Sequence, residues 1–184
     1  IEVDSTEPSD VFTDEGLAKY DAVMFLNTTG DVLNEQQQIA FQRYIQGGGG
    51  YIGVHSASDT EYGWPWYGQL VGAYFVDHPA IQEARLVVDD SRHPSTAHLD
   101  DEWVRSDEWY NHRFVNDNLN VLLSIDKQSY DAGTDTFEGA TQPMSWYHSF
   151  DGGRSFYTNM GHRPETWLET DFLNHLLGGI EWAL

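Results

Sequence analysis

Residues 21–55, DAVMFLNTTGDVLNEQQQIAFQRYIQGGGGYIGVH, decide the fold. The run Asp21 to Asn27 is apolar without alternation and stops at Thr28, Thr29 and Gly30, the pattern of a short strand covered on both faces. From Asn34 the period changes. Asn34 can cap, Gln37 follows three residues on, and Ala40 with Tyr44 and Phe41 with Ile45 fall at i,i+4, so a helix is predicted that ends at Gly47 to Gly50. Tyr51 to His55 then reads as a second buried strand. Strand, helix, strand is a βαβ unit, and it predicts an α/β domain with a mostly parallel central sheet.

Working outward, Ala84 to Val88 and Val121 to Ile125 read as further strands, separated by polar, turn-rich sequence and preceded by an aromatic loop at Trp64 to Tyr67. Met144 to His148 and Ser155 to Asn159 flank Asp151-Gly152-Gly153, which predicts a C-terminal antiparallel β-hairpin. A final helix is expected from about Glu165 to Trp182. Thr166 with Glu169 offers a capping box, and Phe172, Leu176 and Ile180, widened by Leu173 and Leu177, give the apolar stripe. At 184 residues this is one domain, able to bury a core.

Composition narrows the function. Thirty acidic residues against nine basic give a formal net charge of −21, which repels phosphate backbones and anionic headgroups, so nucleic-acid and membrane partners are not expected. No apolar run reaches the roughly 18 residues of a membrane span. The acidic residues are scattered, which suits a heavily solvated surface and a secreted, extracellular or periplasmic protein of marine or halophilic source. There is no cysteine, which rules out disulfides, thiolate ligands and a thiol nucleophile together.

Three polar motifs could carry chemistry. Gly53-Val54-His55-Ser56-Ala57 closes a buried strand, and in open α/β sheets ligands collect beyond strand carboxyl ends, so His55 or Ser56 would stand at the tip of a sharp exit. The alternative is a histidine that only bonds a neighbouring carbonyl or carboxylate. Gly161-His162-Arg163-Pro164-Glu165 places an imidazole and a carboxylate before the last helix, an acid/base pair in one reading and ordinary helix-start chemistry in the other. Asp107-Glu108-Trp109-Tyr110 sets two acids beside two aromatics on an expected loop, suited to sugar hydroxyls and ring faces. Eight histidines, His78-Pro79 and His93-Pro94 among them, leave a divalent metal such as zinc open, although no H-E-x-x-H spacing occurs.

Taken in order, LNTTGDVLNEQQQIAFQRYIQGGGGYIGVHSASD, the His-Pro segments, DEWY and GGRSFYTNMGHRPETW resemble the trehalose-utilisation (ThuA-like) family from about Phe12 onward. That resemblance implies a flavodoxin-like three-layer sandwich similar to class I glutamine amidotransferases, found as an exported module near carbohydrate-modifying enzymes. In those amidotransferases the elbow carries a cysteine completed by a later His and Glu; here His55 takes the elbow, and His162 and Glu165 match the later pair with one extra residue between. The family's usual first strand and helix are missing upstream of Ile1, so an upstream segment is expected to complete the sheet. The resulting expectation is a small-molecule carbohydrate, a sugar or keto-sugar, held by Ser56, Trp64, Asp107, Glu108 and Tyr110. His55 and His162, the latter oriented by Glu165, would transform it by acid/base chemistry. The alternatives are a non-catalytic module that holds glycans or other modules of the same polypeptide, and a metal-dependent hydrolase.

Overall fold

The computed structural model describes residues 1–134 and 137–184. Strands β1 (Ala22–Leu26), β2 (Gly50–Val54), β3 (Ala73–Asp77), β4 (Gln82–Val88), β5 (Glu102–Asp107), β6 (Asn111–Phe114), β7 (Asn120–Asp126), β8 (Thr141–Phe150) and β9 (Gly153–Thr158) alternate with helices α1 (Asp14–Leu17), α2 (Glu35–Gln46), α3 (Pro65–Val71) and α4 (Thr170–Ala183). A seven-stranded sheet runs β1-β2-β9-β8-β7-β4-β5, and β3 pairs with β6 in a separate ribbon.

The opening βαβ unit forms as its sequence predicts. The side chain of Asn34 accepts from the backbone N–H of Gln36 and Gln37 while Gln37 reaches back to the Asn34 N–H, a complete capping box. Every residue of β2 is buried. Its alternate side chains serve two cores: Tyr51 joins Phe25, Phe41 and Tyr67 on the face carrying α2 and α3, while Ile52 and Val54 join Phe156, Phe172 and Leu176 under α4. Gly178 and Gly179 let α4 approach closely, since a Cβ on Gly178 would meet the Pro94 backbone at 2.4 Å and one on Gly179 would meet the Phe156 ring at 2.4 Å.

The expectation of a mostly parallel sheet needs correction: the sheet is mixed. Among the described residues only β1 with β2 and β2 with β9 pair as parallel strands, and the pairs from β9 through β8, β7, β4 and β5 are antiparallel. Parallel neighbours need a long crossover, usually helical. Between β4 and β9 there is no α-helix among the described residues, so those strands pair antiparallel. The β8–β9 hairpin turns on Asp151 and Gly152, both at positive φ (49° and 102°), as the two-residue turn that matches strand twist.

Two further expectations change. The last helix starts with a 3-10 turn, Pro164–Leu168, and becomes α-helical at Thr170; Thr166 and Glu169 make no capping box, because both side chains bind Arg105 instead. Leu173 and Leu177 are exposed, and α4 buries Phe172, His175 and Leu176. Ile1 to Val3 form no strand, and the outer edge of β1 has no strand neighbour among the described residues.

Candidate functional site

The sharpest backbone feature lies where β2 ends. His55 has φ +51°, left-handed for a residue with a β-carbon, and opens the 3-10 turn His55–Asp59. That conformation costs of order 1–2 kcal/mol. Two bonds oppose the cost: the Tyr157 hydroxyl donates to the His55 carbonyl oxygen at 2.8 Å, and His55 Nδ1 lies 2.7 Å from the Asn159 carbonyl oxygen. A carbonyl only accepts, so Nδ1 carries a proton, and in the neutral tautomer Nε2 turns its lone pair to the crevice.

Three groups converge on that nitrogen. The Tyr110 hydroxyl is 2.8 Å away, Glu108 Oε2 3.2 Å and His162 Nδ1 3.2 Å. Glu108 Oε2 and His162 Nδ1 are 3.3 Å apart, and the second Glu108 oxygen lies 3.5 Å from His78 Nδ1. The parallel register builds this cluster: Val54 pairs with Thr158, so His55 leaves the sheet beside Asn159, and the chain continues through Gly161 (φ +118°) to His162. His55, Glu108 and Tyr110 are buried, whereas the His162 and His78 side chains are each 41% exposed, so the crevice opens on their side.

Burial pushes the Glu108 carboxyl upward, but the neighbouring imidazoles of His55, His162 and His78 outweigh it and hold the group below its usual range. Glu108 is therefore a carboxylate at neutral pH. Burial raises the Tyr110 phenol, reinforced by Tyr157 and Glu108, so its hydroxyl remains a donor to His55. Behind the cluster, Tyr157 links to Ser58 at 2.9 Å and to the buried His112 at 3.3 Å, which fixes the elbow from beneath.

Asp107 has a different place. It is fully buried behind the crevice, where Oδ2 accepts from Gly161 N–H (3.1 Å) and Thr166 Oγ1 (3.0 Å) and Oδ1 accepts from the Glu108 N–H (3.0 Å). Arg105 Nη1 sits 3.1 Å from Oδ2, an ion-pair contact whose angle is too poor for a hydrogen bond; Arg105 Nη2 donates to Thr166 Oγ1 at 2.8 Å. Asp107 thus ties the loops of Glu108 and His162 together and does not face a ligand.

Of the other residues expected at a site, Glu165 turns outward, its side chain 64% exposed and 3.4 Å from Arg163. The carboxylate beside His162 is Glu108, not Glu165, because the 3-10 turn carries Glu165 away from the sheet. Ser56 follows the tip and accepts from Thr60 through its carbonyl. Trp64 stacks on Trp66 at 4.9 Å, in contact with the core on the α2 face. Asn159 and Tyr157 were not expected; their signal is positional, since both end the strand parallel to the one that carries His55. His78 joins from the β3–β6 ribbon, where Phe75 packs against Tyr110 with ring centroids 4.3 Å apart.

A mixed α/β sheet with a histidine elbow and a second imidazole and a carboxylate over it defines a class of domain. Residues 1–183 match the family model described as trehalose utilisation, and the chain belongs to that ThuA family. Among solved structures it is similar to a ThuA-like protein from Bacteroides uniformis, with 29% identity and a TM-score of 0.79 over 97% of this chain and 75% of that one. A ThuA-like protein from Parabacteroides merdae shows 22% identity and a TM-score of 0.75 over 91% and 71%. A β-galactosidase from Bacillus circulans shares the fold at 15% identity, TM-score 0.60, over 89% of this chain and 22% of that enzyme. Among curated proteins none matches.

Proposed function

We propose that the crevice binds a sugar or keto-sugar and transforms it by proton transfer through His55, Glu108 and His162. The observation that carries this reading is the convergence of Tyr110 OH, Glu108 Oε2 and His162 Nδ1 within 3.2 Å of His55 Nε2. Neighbouring imidazoles and a carboxylate can pass one proton among them, as general acid/base chemistry at a sugar carbon requires, whether the outcome is hydrolysis, isomerisation or elimination. Glu108 replaces Glu165 as the group that orients His162. Tyr110 offers a protonated hydroxyl to a substrate oxygen, and the half-buried Phe75 beside it offers an apolar face to a sugar ring.

The family's description, trehalose utilisation, supports a carbohydrate ligand. The excess of acidic side chains supports an exported module. The flavodoxin-like three-layer plan belongs to the same proposal, supported by α2 and α3 packing into one core of the sheet and α4 into the other. Calorimetric titration with disaccharides and their keto derivatives tests the reading. His55→Ala and His162→Ala are expected to abolish turnover and weaken binding; unchanged binding and turnover in both variants would overturn it. The rival reading, an accessory module that holds glycan without chemistry, rests on the Trp64–Trp66–Tyr67 stack. It would show as binding lost in Trp64→Ala and kept in His162→Ala.

A further inference from the structure

Three atoms of the cluster form a nearly equilateral triangle. His55 Nε2 to Glu108 Oε2 is 3.2 Å, His55 Nε2 to His162 Nδ1 3.2 Å, and His162 Nδ1 to Glu108 Oε2 3.3 Å. For a tetrahedral ion bound at about 2.1 Å to imidazole nitrogen and carboxylate oxygen, ligand atoms stand roughly 3.4 Å apart. The observed triangle is that size without rearrangement. From separate elements, the end of β2, the loop after β5 and the loop after β9, each residue offers one such atom within mutual reach.

The hydrogen-bond pattern points the same way. Since His55 Nδ1–H is committed to the Asn159 carbonyl, Nε2 is the ring nitrogen left to coordinate, and Glu108 Oε2 faces it at 3.2 Å. A backbone carbonyl that holds the far nitrogen of an imidazole is also what fixes ligand tautomers at metal centres. Glu108 is bonded behind by Asp107 through its own N–H, and no lysine or arginine ion-pairs with it among the described residues. The net charge of −21 raises the local concentration of cations around the domain.

We propose that His55 Nε2, Glu108 Oε2 and His162 Nδ1 are the ligands of a divalent first-row transition ion, zinc by donor set, with positions left open toward the crevice. Two imidazoles and one carboxylate favour such an ion over magnesium or calcium, which take oxygen ligands. The site rests on the sugar-binding part of that reading for its role and, when filled, takes these three atoms out of proton transfer: the open positions would take vicinal oxygens of the sugar. Because the ligands come from three separated segments, no local spacing motif announces them.

The test strips the protein with a chelator, confirms unchanged far-ultraviolet circular dichroism, and measures zinc by calorimetry and by elemental analysis after dialysis. One equivalent is expected to bind saturably. Glu108→Ala and His162→Ala should each weaken it by about 100-fold or more. His98→Ala, an exposed histidine bonded to the Asp171 carbonyl, controls for surface binding and should leave affinity unchanged. Cobalt(II) in place of zinc should give the visible absorption of a low-coordinate ion in wild type and lose it in Glu108→Ala. No saturable uptake, or one equivalent kept at unchanged affinity by both ligand variants, overturns the site. Sugar titration of stripped and zinc-loaded protein separates the two readings. Sugar binding without zinc uptake sinks the metal site alone, and zinc uptake with no response to any sugar sinks the sugar reading while upholding the site.

Discussion

Replacing Asp107 by alanine should cost the protein much of its stability and remove no direct ligand contact. The carboxylate is fully buried and accepts from two backbone N–H groups and one hydroxyl while neutralising Arg105, whose side chain is only 3% exposed. After substitution the guanidinium, packed over Trp103 and Phe172, keeps only Glu169 as a charged partner, and that carboxylate is 36% exposed. Removing one member of a buried ion pair costs about 3–5 kcal/mol. For a chain of this length each kcal/mol lowers Tm by roughly 2–4 °C, so a drop of about 6–20 °C is expected by calorimetry at pH 7. The double change Asp107→Leu with Arg105→Met should recover part of it, because two apolar groups leave no orphaned charge. A single variant within about 1 kcal/mol of wild type that nonetheless lost sugar affinity would refute the reasoning and place Asp107 in the ligand's path.

Three further outcomes follow from the same geometry. At position 55, glycine should be more stable than alanine by about 1 kcal/mol in urea titrations, since only glycine accepts the left-handed φ freely; equal stabilities would mean that the elbow is not strained. Gly178→Ala gains about 1 kcal/mol of helix propensity but drives a Cβ into the Pro94 backbone, and a net loss of about 1–3 kcal/mol should be measured. Burial holds His112 down to about 3, His175 to about 3 and His148 to about 4, all below their ordinary 6.5. Their contribution is full above pH 6.5 and is lost as pH falls toward those values. Stability should therefore drop between about pH 6 and 4.5 by up to three protons' worth, about 4 kcal/mol per pH unit, and a flat profile there would contradict their burial as neutral rings.

Local chemistry made much of this legible in the sequence. The capping box at Asn34, the strand Ala22–Leu26 and the Asp151-Gly152 turn each act over a few residues, and each forms, although β1 lies at the sheet edge with only Phe25 buried and Leu26 exposed rather than covered on both faces. The mixed sheet was not legible, because whether β7 and β8 run parallel depends on what connects distant strands and not on their own side chains. The ribbon of β3 and β6 escaped notice for a similar reason: Tyr74, Phe75 and His112 find partners across a long loop that no periodicity marks. At the site, His55 and His162 announced themselves through strand ends and glycines. The partner of His162 did not, since Glu165 is near in sequence and Glu108 near in space. Asp107 and Glu108 are adjacent, yet one faces Arg105 in the interior and the other faces the crevice, a division set by the pleat at the end of β5.

The left-handed turn at position 55 separates aim from identity. Its direction comes from backbone handedness and from the Tyr157 hydroxyl on the main-chain oxygen, neither of which consults the side chain mounted there. Any group installed at that tip inherits the same line of sight into the crevice. A scaffold of this kind can exchange an imidazole for a thiol or an alcohol without being rebuilt, so its reactivity is interchangeable while its frame persists.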